Sequence, residues 1–251
     1  MNSYDNIAKQ YHKVALLPLA VHMKEYTYFN VIGNLANKSV LDLACGDGYY
    51  TRKFKKAAAK YVVGMDYSEK MIEVARQKEA RESLGIEYFV GDVAEFGKIG
   101  SFDLVTAALL LHYAQTKEQL LKMCQNIYAN LEPGGRFITI NGNFDKAEIS
   151  PEVSQKLQKY SVPNRPLGPF DEGDTITITS PVILESTGQK FTVDIYYFTK
   201  ATYMWAFQKA GFEEVHWREP TISPEGIQEF GQDFWQDALD YPFYWFIECV
   251  K

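Results

Sequence analysis

The sequence predicts an α/β fold: a seven-stranded, mostly parallel sheet with helices on both faces, an N-terminal helical cap and a small antiparallel β-insertion. Three observations point to it. In the first half, short β-branched runs alternate with segments of helical periodicity, the pattern of a parallel sheet with right-handed crossovers. Between residues 174 and 199 the period drops to two, β-branched against polar, as in antiparallel strands with one exposed face. Finally, the runs at 39–44, 61–66 and 86–90 each lead into an acid or small residue, so chemistry gathers at one edge of the sheet.

Taken in order, Ser39–Ala44 (SVLDLA) reads as a strand and Gly48–Ala59 as the helix after it. Tyr61–Asp66 (YVVGMD) is a second strand, followed by a helix that Ser68 opens as N-cap, with Met71, Ile72, Val74 and Ala75 on its buried side. Ile86–Val90 and Phe102–Ala108 are the third and fourth strands. A helix over Lys117–Leu131 is expected to stop at Pro133-Gly134-Gly135, before a fifth strand at Arg136–Ile140. The second half offers a short helical stretch at Pro151–Tyr160 and strands at Asp174–Ser180 and Lys190–Thr199. A helix over Lys200–Ala210 ends at Gly211, a C′ glycine. Strands at Glu213–Arg218 and Phe243–Val250 complete the chain, joined through a helical Pro224–Leu239.

Composition narrows the partners. Of 251 residues 46% are hydrophobic and 23% charged, the balance of a globular chain, and the net charge is -6. Nucleic acid and acidic membrane surfaces demand clustered positive charge, and only Lys53, Lys55, Lys56 and Lys60 approach a cluster; they read as a solvated helix face. Met1–Gln10 lacks the apolar core of a signal peptide, and no apolar run reaches membrane-spanning length. Three cysteines without metal-like spacing suit a reduced compartment, and no metal site is expected. The reading is a cytoplasmic protein, monomeric or weakly homodimeric, whose partner is a small molecule.

The turn Asp42-Leu43-Ala44-Cys45-Gly46-Asp47-Gly48 follows the first strand and opens a helix; its small residues let the backbone bend sharply and approach a ligand. Asp66 ends the second strand, where a carboxylate can accept two hydrogen bonds from a ribose diol. Gly91-Asp92-Val93 ends the third, within reach of an exocyclic amine. Cys45 reads as packing rather than as a nucleophile.

These residues resemble the class I S-adenosylmethionine (SAM)-dependent methyltransferases, which have a Rossmann-like fold. Asp42–Gly48 is similar to their D-x-G-x-G-x-G loop, with Ala44 at the first glycine; Asp66 matches their ribose-binding acid, Asp92-Val93 their adenine-binding pair, and Leu131–Gly135 their L-x-P-G-G turn. The resemblance spans residues 36 to 140, the Ala210-Gly211-Phe212 turn and the final strands. It implies SAM as cofactor, with S-adenosylhomocysteine (SAH) as product. The cofactor set is then Tyr11, Asp42, Ala44, Gly46, Gly48, Asp66, Tyr67, Met71, Gly91, Asp92, Val93 and Ala107, with Gly46 and Gly48 facing the methionine half and Ala107 near its amino group. A single domain over 1–251 is expected: cap helices over 1–36, a SAM-binding core over 37–140, a β-insertion or substrate lid over 141–200, and the C-terminal part of the sheet over 201–251.

The opening Tyr4-Asp5-Asn6-Ile7-Ala8-Lys9-Gln10-Tyr11 is similar to the Y-D-x-I-A-x-x-Y segment of small-molecule methyltransferases, where an N-terminal helix covers the SAM site. Tyr4 would then face the substrate and take part in catalysis. His112, after strand four, would act as a general base or orient the substrate, its ordinary pKa lying near neutrality; a lining role alone is the other reading. Tyr113, Asn143, Phe144, Tyr196 and Tyr197 complete the substrate set. The whole pattern, including Gly85–Tyr88 and the ending Ile247-Glu248-Cys249, resembles the N-methyltransferases of toxoflavin biosynthesis, which act on an azapteridine ring. The expected reaction is in-line methyl transfer to a nitrogen or oxygen of a heteroaromatic or aromatic small molecule. A non-catalytic SAM/SAH-binding module is the alternative. An NAD-dependent oxidoreductase is a lesser one, because Ala44, Gly46 and Thr51 do not supply G-x-G-x-x-G.

Overall fold

Nine strands and eight α-helices form among the described residues, which in this computed structural model are 14–144, 150–161, 169–183, 188 and 190–251. The strands are β1 (Ser39–Leu43), β2 (Tyr61–Asp66), β3 (Glu87–Val90), β4 (Phe102–Ala108), β5 (Leu131–Gly142), β6 (Thr175–Ile183), β7 (Lys190–Tyr196), β8 (Glu214–Arg218) and β9 (Tyr244–Val250). The helices are α1 (Tyr26–Ile32), entered through a π-helical stretch at Ala20–Glu25, then α2 (Tyr49–Lys56), α3 (Glu69–Arg81), α4 (Lys117–Ala129), α5 (Pro151–Leu157), α6 (Lys200–Ala210), α7 (Pro224–Phe230) and α8 (Gln232–Asp240).

Seven strands form one sheet in the order β3-β2-β1-β4-β5-β9-β8, parallel except that β9 runs antiparallel to both β5 and β8. β6 and β7 pair antiparallel in a separate two-stranded sheet. This is the fold class the sequence predicts, with the small sheet falling between the fifth and sixth strands of the large one.

Side-chain alternation divides the core between the two faces. Leu41, Leu43, Val105 and Phe137 pack under α4 and α6 through Leu120, Cys124, Ile127 and Phe207. Val40, Val62, Leu104 and Ile138 pack under α1, α2 and α3 through Tyr28, Phe54, Ile72 and Ala75. Each of the Val, Leu, Ile and Phe side chains among them, fully buried, contributes about 1.5–3 kcal/mol. The helix starts follow local chemistry: the hydroxyls of Ser68, Thr116 and Thr199 accept the N–H groups of Met71, Gln119 and Thr202 at the first turns of α3, α4 and α6. No helix of the described residues is long and apolar enough to cross a membrane.

Two elements depart from the sequence reading. The helix expected to reach Leu131 ends at Ala129, and β5 begins at once: Leu131 pairs with Phe102, then Arg136 with Leu104, so Glu132–Gly135 bulge out within the strand instead of preceding it. The single helix expected over Pro224–Leu239 is two helices, broken at Gly231, whose φ of 80° an L side chain rarely adopts.

Candidate active site

Parallel register sets β1, β2 and β3 side by side, with Asp42 opposite Gly64 and Asp66 opposite Val90, so the segments that follow them meet at one edge. Asp66 carries the first latch. One carboxylate oxygen accepts the backbone N–H of Gly46 and the other that of Ser68, both at 2.8 Å. Asp47 is buried in the same turn and takes the Lys78 ammonium of α3 at 2.5 Å. Asp92 accepts the N–H of Ala94 at 2.8 Å, fixing the turn after β3. The result is a cavity of about 490 Å³, within the range of small-molecule sites.

Of the residues assigned to the cofactor by sequence, Ala44, Gly46, Asp66, Tyr67, Met71, Gly91, Asp92 and Val93 line this cavity, and Tyr113 and Tyr196 of the substrate set line it too. Asp194 adds a third carboxylate, and among the described residues no Lys or Arg lines the cavity. The site therefore favours a cation and opposes an anion such as a pyrophosphate.

Three of the assigned residues sit elsewhere. Asp42 is 2% exposed and turned into the sheet, where Thr51 and Thr106 donate to its two oxygens at 2.6 and 3.0 Å. Burial pushes its pKa up to about 7 against those hydroxyl donors, with the Asp66 charge adding to the rise. Gly48 faces Tyr88: a Cβ there would lie 2.5 Å from the phenol oxygen. Ala107 is fully buried beneath α4, and alternation presents Ala108 to the cavity instead. Cys45 packs as expected, buried, with its thiol pKa pushed up by desolvation.

A second cavity, of about 140 Å³, adjoins the first; Leu109, Tyr113 and Val193 line both. His112, Phe144, Tyr160, Phe243 and Tyr244 form much of its wall. Burial alone lowers the pKa of His112 to about 3, so the ring is neutral, and its Nδ1 has no hydrogen-bond partner among the described residues. An imidazole held so low is a weak base, which favours the orienting or lining role. Asn143 is tied away from both cavities, donating through Nδ2 to the Pro242 carbonyl at 2.9 Å, and Tyr197 packs against Phe170 under the small sheet. Tyr4 and Tyr11 lie outside the described residues.

The sequence reading missed Leu109 and Lys24. Leu109 takes a left-handed backbone, φ 64°, as the chain leaves β4, and nothing in a run of three leucines marks it. Lys24 is buried in the π-helical stretch and lines the second cavity. Its only signal is that buried pairs recur every four residues, at Leu19/Ala20, Met23/Lys24 and Thr27/Tyr28, putting a lysine where apolar residues belong.

Residues 40–135 match the family model described as a methyltransferase domain. The matched segment runs from β1 to the bulge in β5, leaving α1, the small sheet and the strands β8 and β9 outside the match. The chain is 35% identical over 113 residues to a ubiquinone biosynthesis O-methyltransferase of Coxiella burnetii (strain Dugway 5J108-111), covering 44% of this chain and 47% of that protein. It is 31% identical over 137 residues to a demethylmenaquinone methyltransferase of Lactococcus lactis subsp. lactis, covering 53% of each. The chain thus spans about half the length of the curated relatives it matches. Its fold is that of a SAM-dependent methyltransferase from Mesorhizobium loti, with a TM-score of 0.65 at 22% identity over 95% of this chain and 100% of that one.

Proposed function

We propose that this chain is a SAM-dependent methyltransferase acting on an oxygen or nitrogen of a planar aromatic or heteroaromatic small molecule. The observation that carries the reading is the pair of joined cavities: one lined by carboxylates at the strand ends, the other walled by aromatic rings, with Leu109, Tyr113 and Val193 at their junction.

The first cavity fits the cofactor. Asp66 would accept from the ribose diol of SAM, Asp92 and Val93 would hold the adenine, and Ala44 and Gly46 would face the methionine half; that all five line one cavity supports this assignment. The acidic lining suits a sulfonium and disfavours the pyrophosphate of a dinucleotide, which speaks against the oxidoreductase alternative. SAM supplies a methyl group already activated on sulfur, so the protein has to position the acceptor and exclude water. Tyr113 and Leu109 stand between the two cavities, Phe144, Tyr160 and Tyr244 offer flat walls, and β7 contributes Val193 and Tyr196 to the cover, which supports reading residues 141–200 as a substrate lid.

The name of the ubiquinone biosynthesis O-methyltransferase supports oxygen as the acceptor atom, and the resemblance to toxoflavin-type enzymes supports a ring nitrogen. A screen for SAH release against phenols, azapteridines and small amines, followed by mass spectrometry of the product, decides between them. Calorimetry tests the reading itself: SAM and SAH should both bind, and a chain that binds neither overturns it. Binding with no methylated product from the whole panel would instead favour the non-catalytic module.

A further inference from the structure

Lys24 is 7% exposed, and its ammonium has no carboxylate within ion-pair distance among the described residues. Its one charged influence is the neighbouring Glu25, and that carboxylate is engaged elsewhere, accepting from the Tyr49 hydroxyl at 2.8 Å and pairing with Lys53. The contact left to Lys24 is a distant one to the Tyr244 ring, 5.7 Å from Nζ to its centroid. A buried cation without a counter-ion is costly, and such a group is kept where a ligand supplies the opposite charge. His112 stands in the wall of the same cavity with Nδ1 buried and unpartnered, a second polar group awaiting a partner. Apart from Ser161 and Ser180 the remaining described wall is apolar or aromatic, and the volume of about 140 Å³ is that of one benzene-sized ring.

We propose that the second cavity takes a single aromatic ring bearing an anionic oxygen, a carboxylate or an ionised phenol, with Lys24 as its counter-charge and His112 as a hydrogen-bond partner on the ring's polar edge. The inference rests on the methyltransferase reading and names the acceptor class for that site. Burial lowers the Lys24 pKa to about 8, which leaves the ammonium mostly charged at neutral pH and ready to pair. The π-helical winding serves the same end: its wider turn keeps Lys24 on the buried face beside Met23. A negative acceptor also complements the cationic methyl donor proposed for the acid-lined first cavity, which it would approach across the junction.

The test is calorimetry on the full chain saturated with SAH. Benzoate and 4-nitrophenolate are compared with the uncharged benzamide and nitrobenzene, in the wild type, Lys24→Met and Lys24→Arg. The wild type should prefer each anion by roughly tenfold or more; Lys24→Met should erase that preference without changing SAH affinity, and Lys24→Arg should retain part of it. Removing a buried charge should leave Lys24→Met at least as heat-stable as the wild type, and a thermal melt confirms that it is folded. If benzoate alone is preferred, the pocket takes carboxylates; if nitrophenolate alone, phenolates. Equal binding of anions and neutral rings by the wild type, or a preference that survives in Lys24→Met, overturns the proposal. Failure of the wild type to bind SAH overturns the methyltransferase reading instead.

Discussion

The Asp66 carboxylate accepts the Gly46 backbone N–H across 2.8 Å, tying the end of β2 to the turn after β1. The residue proposed to receive a ribose thus also shapes the loop beside it. Asp66→Ala is expected to weaken SAH binding by roughly tenfold or more, through both the lost ligand bond and the loosened turn, since hydrogen bonds to charged groups contribute about 1.5–3 kcal/mol. Asp66→Asn keeps one acceptor oxygen and should fall between. Calorimetric affinities of the three proteins check this, and an unchanged affinity in Asp66→Ala removes Asp66 from the site.

Ala44 sits at φ 52°, in the left-handed region, where an L residue carries strain of about 1–2 kcal/mol. Ala44→Gly should relieve it, less the entropy glycine adds to the unfolded chain, for a net gain of about 0.5–1 kcal/mol. Ala58, at φ 68° and outside both cavities, is the control. Urea melts should show both glycine variants stabilised, with SAH affinity altered only at position 44. Destabilisation of both means that the unfolded-state term outweighs the strain.

The strand ends were legible because a charge or a small residue stops a β-branched run, and burial of the run forces that residue to the edge. Asp66, Gly91 and Asp92 stand where this logic puts them. What the sequence withheld was direction within one residue. Ala107 and Ala108 are chemically identical, and only the pleat decides that the second meets the cavity while the first meets α4. Asp42 has the composition of a ligand-binding acid, yet Thr51 and Thr106, 9 and 64 positions away, claim both its oxygens. Lys24 was invisible for a related reason: a lysine in an amphipathic segment reads as solvated until the fold closes over it. The bulge at Glu132–Gly135 and the break at Gly231 show the same limit, since Pro and Gly announce an irregularity without saying whether a strand or helix ends there.

Gly48 and Tyr88 are packed too closely for a methyl group. Tyr88 itself buries its hydroxyl without a hydrogen-bond partner, so Tyr88→Phe should stabilise the protein by about 1 kcal/mol. Gly48→Ala should destabilise it by about 2–3 kcal/mol, through the contact with the phenol oxygen and the residue's φ of 81°. In the Tyr88→Phe background the same change should cost less, because the nearest remaining ring atom is 3.1 Å away rather than 2.5 Å. A double-mutant cycle in urea measures the coupling. Strict additivity would show that backbone strain, and not the hydroxyl, dominates.

Asp42 gives a dependence on pH whose sign can be worked out. Its pKa rises from the ordinary carboxylate value of about 3.9 in the unfolded chain to about 7 in the native one, chiefly by burial. Between those values the native state binds more protons, so the stability Asp42 contributes is fully present below about pH 4 and is lost as pH climbs through 7. Asp42→Asn cannot titrate, yet its amide oxygen still accepts from one of the two hydroxyls. Relative to the wild type it should therefore gain on the order of 1 kcal/mol per pH unit between about pH 5 and 7, levelling off above pH 8. Asp42→Ala, which strands the hydroxyls of Thr51 and Thr106, should sit below Asp42→Asn at every pH by about 1–3 kcal/mol. Urea unfolding of the three proteins at half-unit pH steps reads both effects. A difference between wild type and Asp42→Asn that is flat with pH, or that runs the other way, means that Asp42 stays ionised throughout, and its oxygens must then be solvated from the cavity it was first assigned to.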